Sequence, residues 1–140
     1  MDAQIFWEII YFPVTLDDLY IDLQDDYLDF IFPIVTLTTL VTSGVLSAVF
    51  YNLIGNFTSR LGYKSYWFLF MVISGILGFF IAFDKIKEII YIDEAMESDG
   101  WIFAFTNLAW AMLYFLLFSL IFKTKYFSRY SNHVPFTTKW

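Results

Sequence analysis

The sequence predicts an all-α integral membrane protein with three transmembrane helices preceded by an acidic amphipathic helix on the outer surface. Three observations carry this. The chain is too apolar to hide its surface in a soluble core. It holds three charge-free stretches of bilayer length. Ahead of the first lies a segment whose apolar and acidic residues separate at helical spacing.

Of the 140 residues, 59% are hydrophobic, 24% aromatic and 16% charged. A soluble domain is about 45–50% apolar and about 25% charged, and a small domain has too much surface for its volume to bury this excess. There is no cysteine, which excludes disulfides, thiol catalysis and cysteine metal sites. The first ten residues, MDAQIFWEII, contain no Lys or Arg. They lack the basic region and small-residue cleavage site of a signal peptide, so the mature chain is expected to begin at or near Met1.

A bilayer core about 30 Å thick takes roughly 20 apolar residues as helix. Three stretches qualify, at residues 30–54, 66–83 and 101–122, and none contains a charged residue. Tyr66, Trp67 and Trp101 stand at their ends, where amphipathic rings favour the headgroup layer. The chain divides into an external amphipathic segment (1–29), a three-helix transmembrane domain (30–122) and a basic, aromatic cytoplasmic tail (123–140).

Orientation follows from the flanks. Residues 1–29 hold eight acids and no Lys or Arg, and the loop before residue 66 holds Arg60 and Lys64 without acids. Residues 84–100 hold six acids with Lys85 and Lys87, and the tail from Lys123 holds four basic residues and no acids. Lys and Arg mark the cytoplasmic side. The N-terminus is thereby expected outside and the C-terminus inside, in a bacterial inner (plasma) membrane. The sequon at Asn56 then faces inward and is idle.

The amphipathic element is TLDDLYIDLQDDYLDF, residues 15–30. Leu16, Leu19, Tyr20, Leu23, Tyr27 and Phe30 share one face at about 100° per residue, and Asp18, Asp22, Asp25 and Asp29 form a stripe opposite. Thr15 with Asp18 makes a capping box after Pro13. The stripe reads as a solvated face, a docking face for a basic partner, or a divalent-cation site. Carboxylates in line along a helix do not surround an ion, so the partner-docking reading is the functional one retained. Pro33 is expected to bend the chain where the first span begins. The stretch before, residues 5–12, is apolar and too short to span. It is expected to lie on the surface or in a partner.

The first span is unusual in carrying TLTTLVTSGVLSAV, four threonines and two serines within residues 36–49. These hydroxyls either line a water path or hold helices together. On a helical wheel Thr36, Thr39, Ser43 and Ser47 fall within about 80°. In the second span Ser74, Gly75, Gly78 and Ala82 share an arc of about 100°, and in the third Ala104, Asn107 and Ala111 share one with Tyr114. Each span thus has a small, weakly polar seam. Lipid tails are as apolar as leucine, so association runs through such seams. An ion path usually shows charged residues or His at depth, and these spans have none. Asn107 is the strongest polar group inside a span, and a partner on Ser74 or a span-one threonine is expected. Thr36, Thr39, Ser43, Ser47, Ser74, Gly78, Ala82, Asn107 and Ala111 are the expected helix-packing residues. Three helices alone are expected to satisfy only some of these seams, so Gly78→Leu is expected to disrupt assembly with other subunits.

Residues 84–100 read as the second span continuing outward as helix and closing near Gly100. In the tail, Lys123, Lys125 and Arg129 are placed to meet anionic headgroups. His133 is the single histidine, which makes neither a metal site nor a proton relay. No GxSxG, HExxH, P-loop or His–carboxylate cluster is present.

The functional expectation is a non-enzymatic scaffold or anchor subunit of a larger homo- or hetero-oligomeric membrane assembly. It would use no cofactor and no nucleic acid, and its partners would be the bilayer, other subunits and copies of itself. In topology alone the chain resembles one class of phage holins, with three spans, an outside N-terminus and a basic inner tail. That resemblance implies the alternative, an oligomeric pore lined by the Thr/Ser face of the first span.

Overall fold

The computed structural model describes residues 3–10, 31–54, 64–89 and 97–122. Every element among them is helical: α1 (Ala3–Ile10), α2 (Phe32–Val49), α3 (Lys64–Ile89) and α4 (Glu97–Phe122). Three stretches, Phe32–Asn52, Ser65–Lys87 and Gly100–Phe122, are long and apolar enough to cross a membrane. That is compatible with an integral membrane protein.

Leu, Ile, Phe and Val dominate these helices, and no Pro interrupts α3 or α4. Pro33 lies in the first turn of α2, where a missing N–H is one the helix leaves unbonded in any case. The bend expected there needs helix on both sides of Pro33, and residues 11–30 lie outside those described. The last turn of α2 widens into a π-type turn over Phe50–Ile54. The Phe50 N–H is shared between the carbonyls of Leu46 and Ser47. The extra residue in a π-turn lets both Phe50 and Tyr51 be buried.

The second spanning helix continues past residue 83, as expected, and runs through Ile89. The closure near Gly100 is corrected, because the third helix begins at Glu97, four residues before the sequence stretch identified as its span. Gly100 therefore closes nothing. It lies in the first turns of α4, and a Cβ there would meet Ile86 at an ordinary 3.6 Å.

The three long helices alternate in direction. Thr39 of α2 meets Gly78 and Asn107, and further along Ser47 meets Ser119, which Trp67 also reaches. Numbers rise together in α2 and α4 and fall in α3, so α3 is antiparallel to the other two. The largest interface is between α3 and α4.

Two apolar clusters close the bundle. At one end Ile31, Phe32, Val35, Ala82, Ile86, Phe103 and Ala104 are buried together, and Trp7 and Ile10 of α1 pack against them. At the other, Phe50, Tyr51, Trp67 and Phe115 form the second cluster. Outward faces are apolar too: Leu37, Val41 and Val45 on α2, Phe68, Ile76 and Phe80 on α3, and Phe105, Leu113 and Leu117 on α4 are all exposed.

Candidate functional site

The polar groups of the spans gather in the middle of the bundle. Thr39, Ser43, Ser47, Ser74, Asn107 and Ser119 are all buried to within 1%. They come from rows spaced four residues apart: 35, 39, 43, 47 and 51 on α2, 74, 78, 82 and 86 on α3, and 103, 107, 111, 115 and 119 on α4. Rows of i, i+4 are the ridges of close crossings at about −40° to −50°. Such crossings need small residues, and the rows supply Thr, Ser, Gly and Ala where the helices meet.

The contacts fall into three layers. In the first, Asn107 Nδ2 donates to Thr39 Oγ1 at 2.9 Å and to the Gly78 carbonyl at 2.7 Å. The Gly78 carbonyl is reachable because that helix has no side chain at the crossing. A Cβ on Gly78 would stand 2.4 Å from the Ala111 Cβ and 3.2 Å from the Asn107 carbonyl oxygen. In the second layer Ser74 Oγ donates to Ser43 Oγ at 3.0 Å, and Ser43 Oγ donates to the Ala111 carbonyl at 3.2 Å. Ser74 Oγ is also 3.2 Å from that carbonyl. In the third, Ser47 and Ser119 hydroxyls lie 3.3 Å apart, and Trp67 Nε1 donates to Ser119 Oγ at 3.1 Å. Every layer ties α2 to α4, and every layer includes a group from α3.

A buried amide or hydroxyl in an apolar setting is costly when unbonded. The seam answers this with groups that give and accept in turn. Among the described residues Asn107 Oδ1 accepts no hydrogen bond.

The structure brings together Thr39, Ser43, Ser47, Ser74, Gly78, Asn107 and Ala111, and it buries Ala82 in the apolar cluster beyond them. Thr36 is half-buried at the edge of the row. Asn107 finds the span-one threonine Thr39, and Ser74 instead pairs with Ser43. The expectation that three helices leave seams unfilled is corrected, because the three seams close on one another within one chain. Gly78→Leu therefore acts first on the single chain's own fold. Tyr114 is half-buried, its ring 5.6 Å from Trp110, and the fully buried aromatics of the row are Phe103 and Phe115.

Sequence reasoning missed Ser119 and Trp67. On a straight wheel Ser119 stands about 120° from Asn107 at 100° per residue. Counting in fours along one ridge would have found it. Trp67 stands at a span end, where the sequence reading expects a headgroup contact; its ring is buried in the bundle, 5.9 Å from Phe115.

Thr38 and Thr106 lie outside the seam. Each hydroxyl donates to the carbonyl four residues back, Ile34 at 2.6 Å and Ile102 at 2.9 Å. Asp18, Asp22, Asp25 and Asp29, expected to dock a partner, lie outside the described residues. So do Lys123, Lys125 and Arg129, expected at headgroups. Among the described residues no three His, Cys, Asp or Glu side chains are placed to hold a metal ion. Comparison with protein-family models found no match, and neither the curated proteins nor the solved structures gave a significant one.

Proposed function

We propose that the chain is a non-enzymatic integral membrane anchor or scaffold subunit that presents its acidic N-terminal region and its basic tail to partners on opposite faces of a bilayer. The observation that carries this is the closed seam. The six buried polar side chains of the spans, Thr39, Ser43, Ser47, Ser74, Asn107 and Ser119, lock three helices to one another. The large side chains turned outward along the spans are apolar, suited to acyl chains. A bundle built this way is a preformed platform, and the charged residues of the chain concentrate in its flanks. On the Lys/Arg distribution the N-terminus lies outside and the tail inside.

The pore reading asks the Thr/Ser face of α2 to turn toward water. Thr39, Ser43 and Ser47 are instead buried and bonded inside the bundle, so that reading draws no support from the packing. Native mass spectrometry of the gently solubilised protein from its own cells separates the two. Unrelated subunits at fixed ratio are the expected result. A single closed homo-oligomer that makes liposomes leak would overturn the anchor reading in favour of the channel.

A further inference from the structure

Helix α1 is too short to span a membrane, yet it does not stand apart from the bundle. Trp7 packs its ring 5.9 Å from Phe32, which in turn lies 5.5 Å from Phe103. Three residues later, the Ile10 carbonyl accepts a hydrogen bond from Trp110 Nε1. Between these two contacts α4 advances from residue 103 to residue 110, away from the bundle end at Gly100. Helix α1 therefore points inward along the bundle, not across its end.

The depth follows from the helix rise. Trp110 is ten residues beyond Gly100, where the third spanning stretch begins. At 1.5 Å per residue this is about 15 Å, and the indole leans back toward the start of its own helix by several Å. The Ile10 carbonyl thus lies on the order of 10 Å below the start of the span, against a hydrocarbon core about 30 Å thick. An eight-residue helix is about 12 Å long and fits that drop. The last carbonyls of any helix lack intrahelical partners. In hydrocarbon each needs a donor, and the Trp110 indole supplies one. While Trp7 and Ile10 face the bundle, Ile5 and Ile9 are turned away from it, 51% and 68% exposed. At this depth what they meet is acyl chain.

We infer that α1 is a half-membrane helix, inserted into one leaflet beside the bundle, capped at its inner end by Trp110 and exposing the Ile5–Ile9 face to lipid acyl chains. It rests on the reading of the bundle as membrane-spanning.

The test is site-directed spin labelling of the full chain in liposomes, with collision by oxygen and by a water-soluble nickel chelate as the readout. The native sequence has no cysteine, so single labels at Ile9→Cys and at Val45→Cys are unambiguous. Val45, exposed on α2, reports the membrane reading itself. The expected result is strong oxygen and weak nickel collision at both positions. Strong nickel collision at position 9 alone overturns the inserted helix and leaves the spanning bundle standing. Weak collision by both reagents at position 9 overturns the acyl-chain face in favour of a covering protein. Strong nickel collision at position 45 overturns the membrane reading and this inference with it. Trp110→Phe keeps a ring and removes the donor. It is expected to raise nickel collision at position 9, and no change would overturn the capping role.

Discussion

The middle of the bundle and its Phe32 end are held by different means. In the middle, small residues bring the backbones together and hydroxyls and one amide bond across the gap. At the Phe32 end, rings fill the space. Phe32 and Phe103 are buried with their rings tilted against each other, and Phe79, Phe83, Trp101 and Phe105 make a run of ring contacts from 4.9 to 6.3 Å on the outer side of α3 and α4. Hydrogen bonds have direction and partners, so the middle fixes which helices meet and in what register. Aromatic packing is forgiving of small shifts, and that end is where a fourth element, α1, is accommodated. The comparison teaches that specificity and capacity to dock rest on different contacts within one small bundle, hydrogen bonds between the helices and ring packing toward the Phe32 end.

Substitutions separate the two. The largest effect is expected at Gly78. Gly78→Leu drives a side chain into the Ala111 Cβ, where even a Cβ would stand 2.4 Å away. Both neighbours are fixed by backbone, so a loss of about 3 kcal/mol or more is expected, at the upper end for overpacking. Reversible unfolding of the purified chain in mixed micelles would measure it. Gly44→Ala is the internal control. Its nearest contact is the Phe118 ring at 3.2 Å, a side chain able to turn aside, and a loss below about 1 kcal/mol is expected. Similar losses at the two glycines would deny the middle its special tightness.

Next comes Asn107→Asp. It exchanges two donated hydrogen bonds for a carboxylate facing the Gly78 carbonyl, and about 2.5–3.5 kcal/mol is expected for an acid at mid-span. Asn107→Leu is milder, about 1 kcal/mol, since it also removes the unbonded Oδ1 acceptor. A double-mutant cycle of Asn107→Leu with Thr39→Val should return a coupling near 0.6 and below about 1.7 kcal/mol, the range found for such bonds in membranes. Zero coupling would break the first layer. At the Phe32 end, Phe103→Leu is expected to cost less than about 1.5 kcal/mol, as volume-conserving swaps do. A larger loss than Asn107→Asp would reverse the comparison. The smallest effect is expected at Thr38→Val, whose hydroxyl bonds only its own helix, and whose stability should match the native chain within about 0.5 kcal/mol.

The three spans and their small-residue seams were legible because charge-free length and residue size are local properties of sequence. Ser43, Ser74, Gly78 and Asn107 could all be marked in advance on that basis. What the sequence withheld was where the seams turn. A wheel places Tyr114 beside Asn107 and Ser119 far from both, yet the bundle follows the inclined four-residue ridge and selects Phe115 and Ser119. The docking of α1 was equally hidden, because eight residues carry no length signal and Trp110 looks like any lipid-facing ring until its carbonyl partner is known.

The central claim is that the hydroxyl seam is a dry lock within one chain. It is tested most directly by cysteine accessibility in native membranes. Thr39→Cys, Ser43→Cys and Ser47→Cys are near-isosteric, and the chain has no competing thiol. Each is expected to stay unreactive toward a membrane-impermeant, water-soluble maleimide until the protein is denatured. Labelling of all three in the intact membrane would contradict the account, because it would place that face of α2 on water.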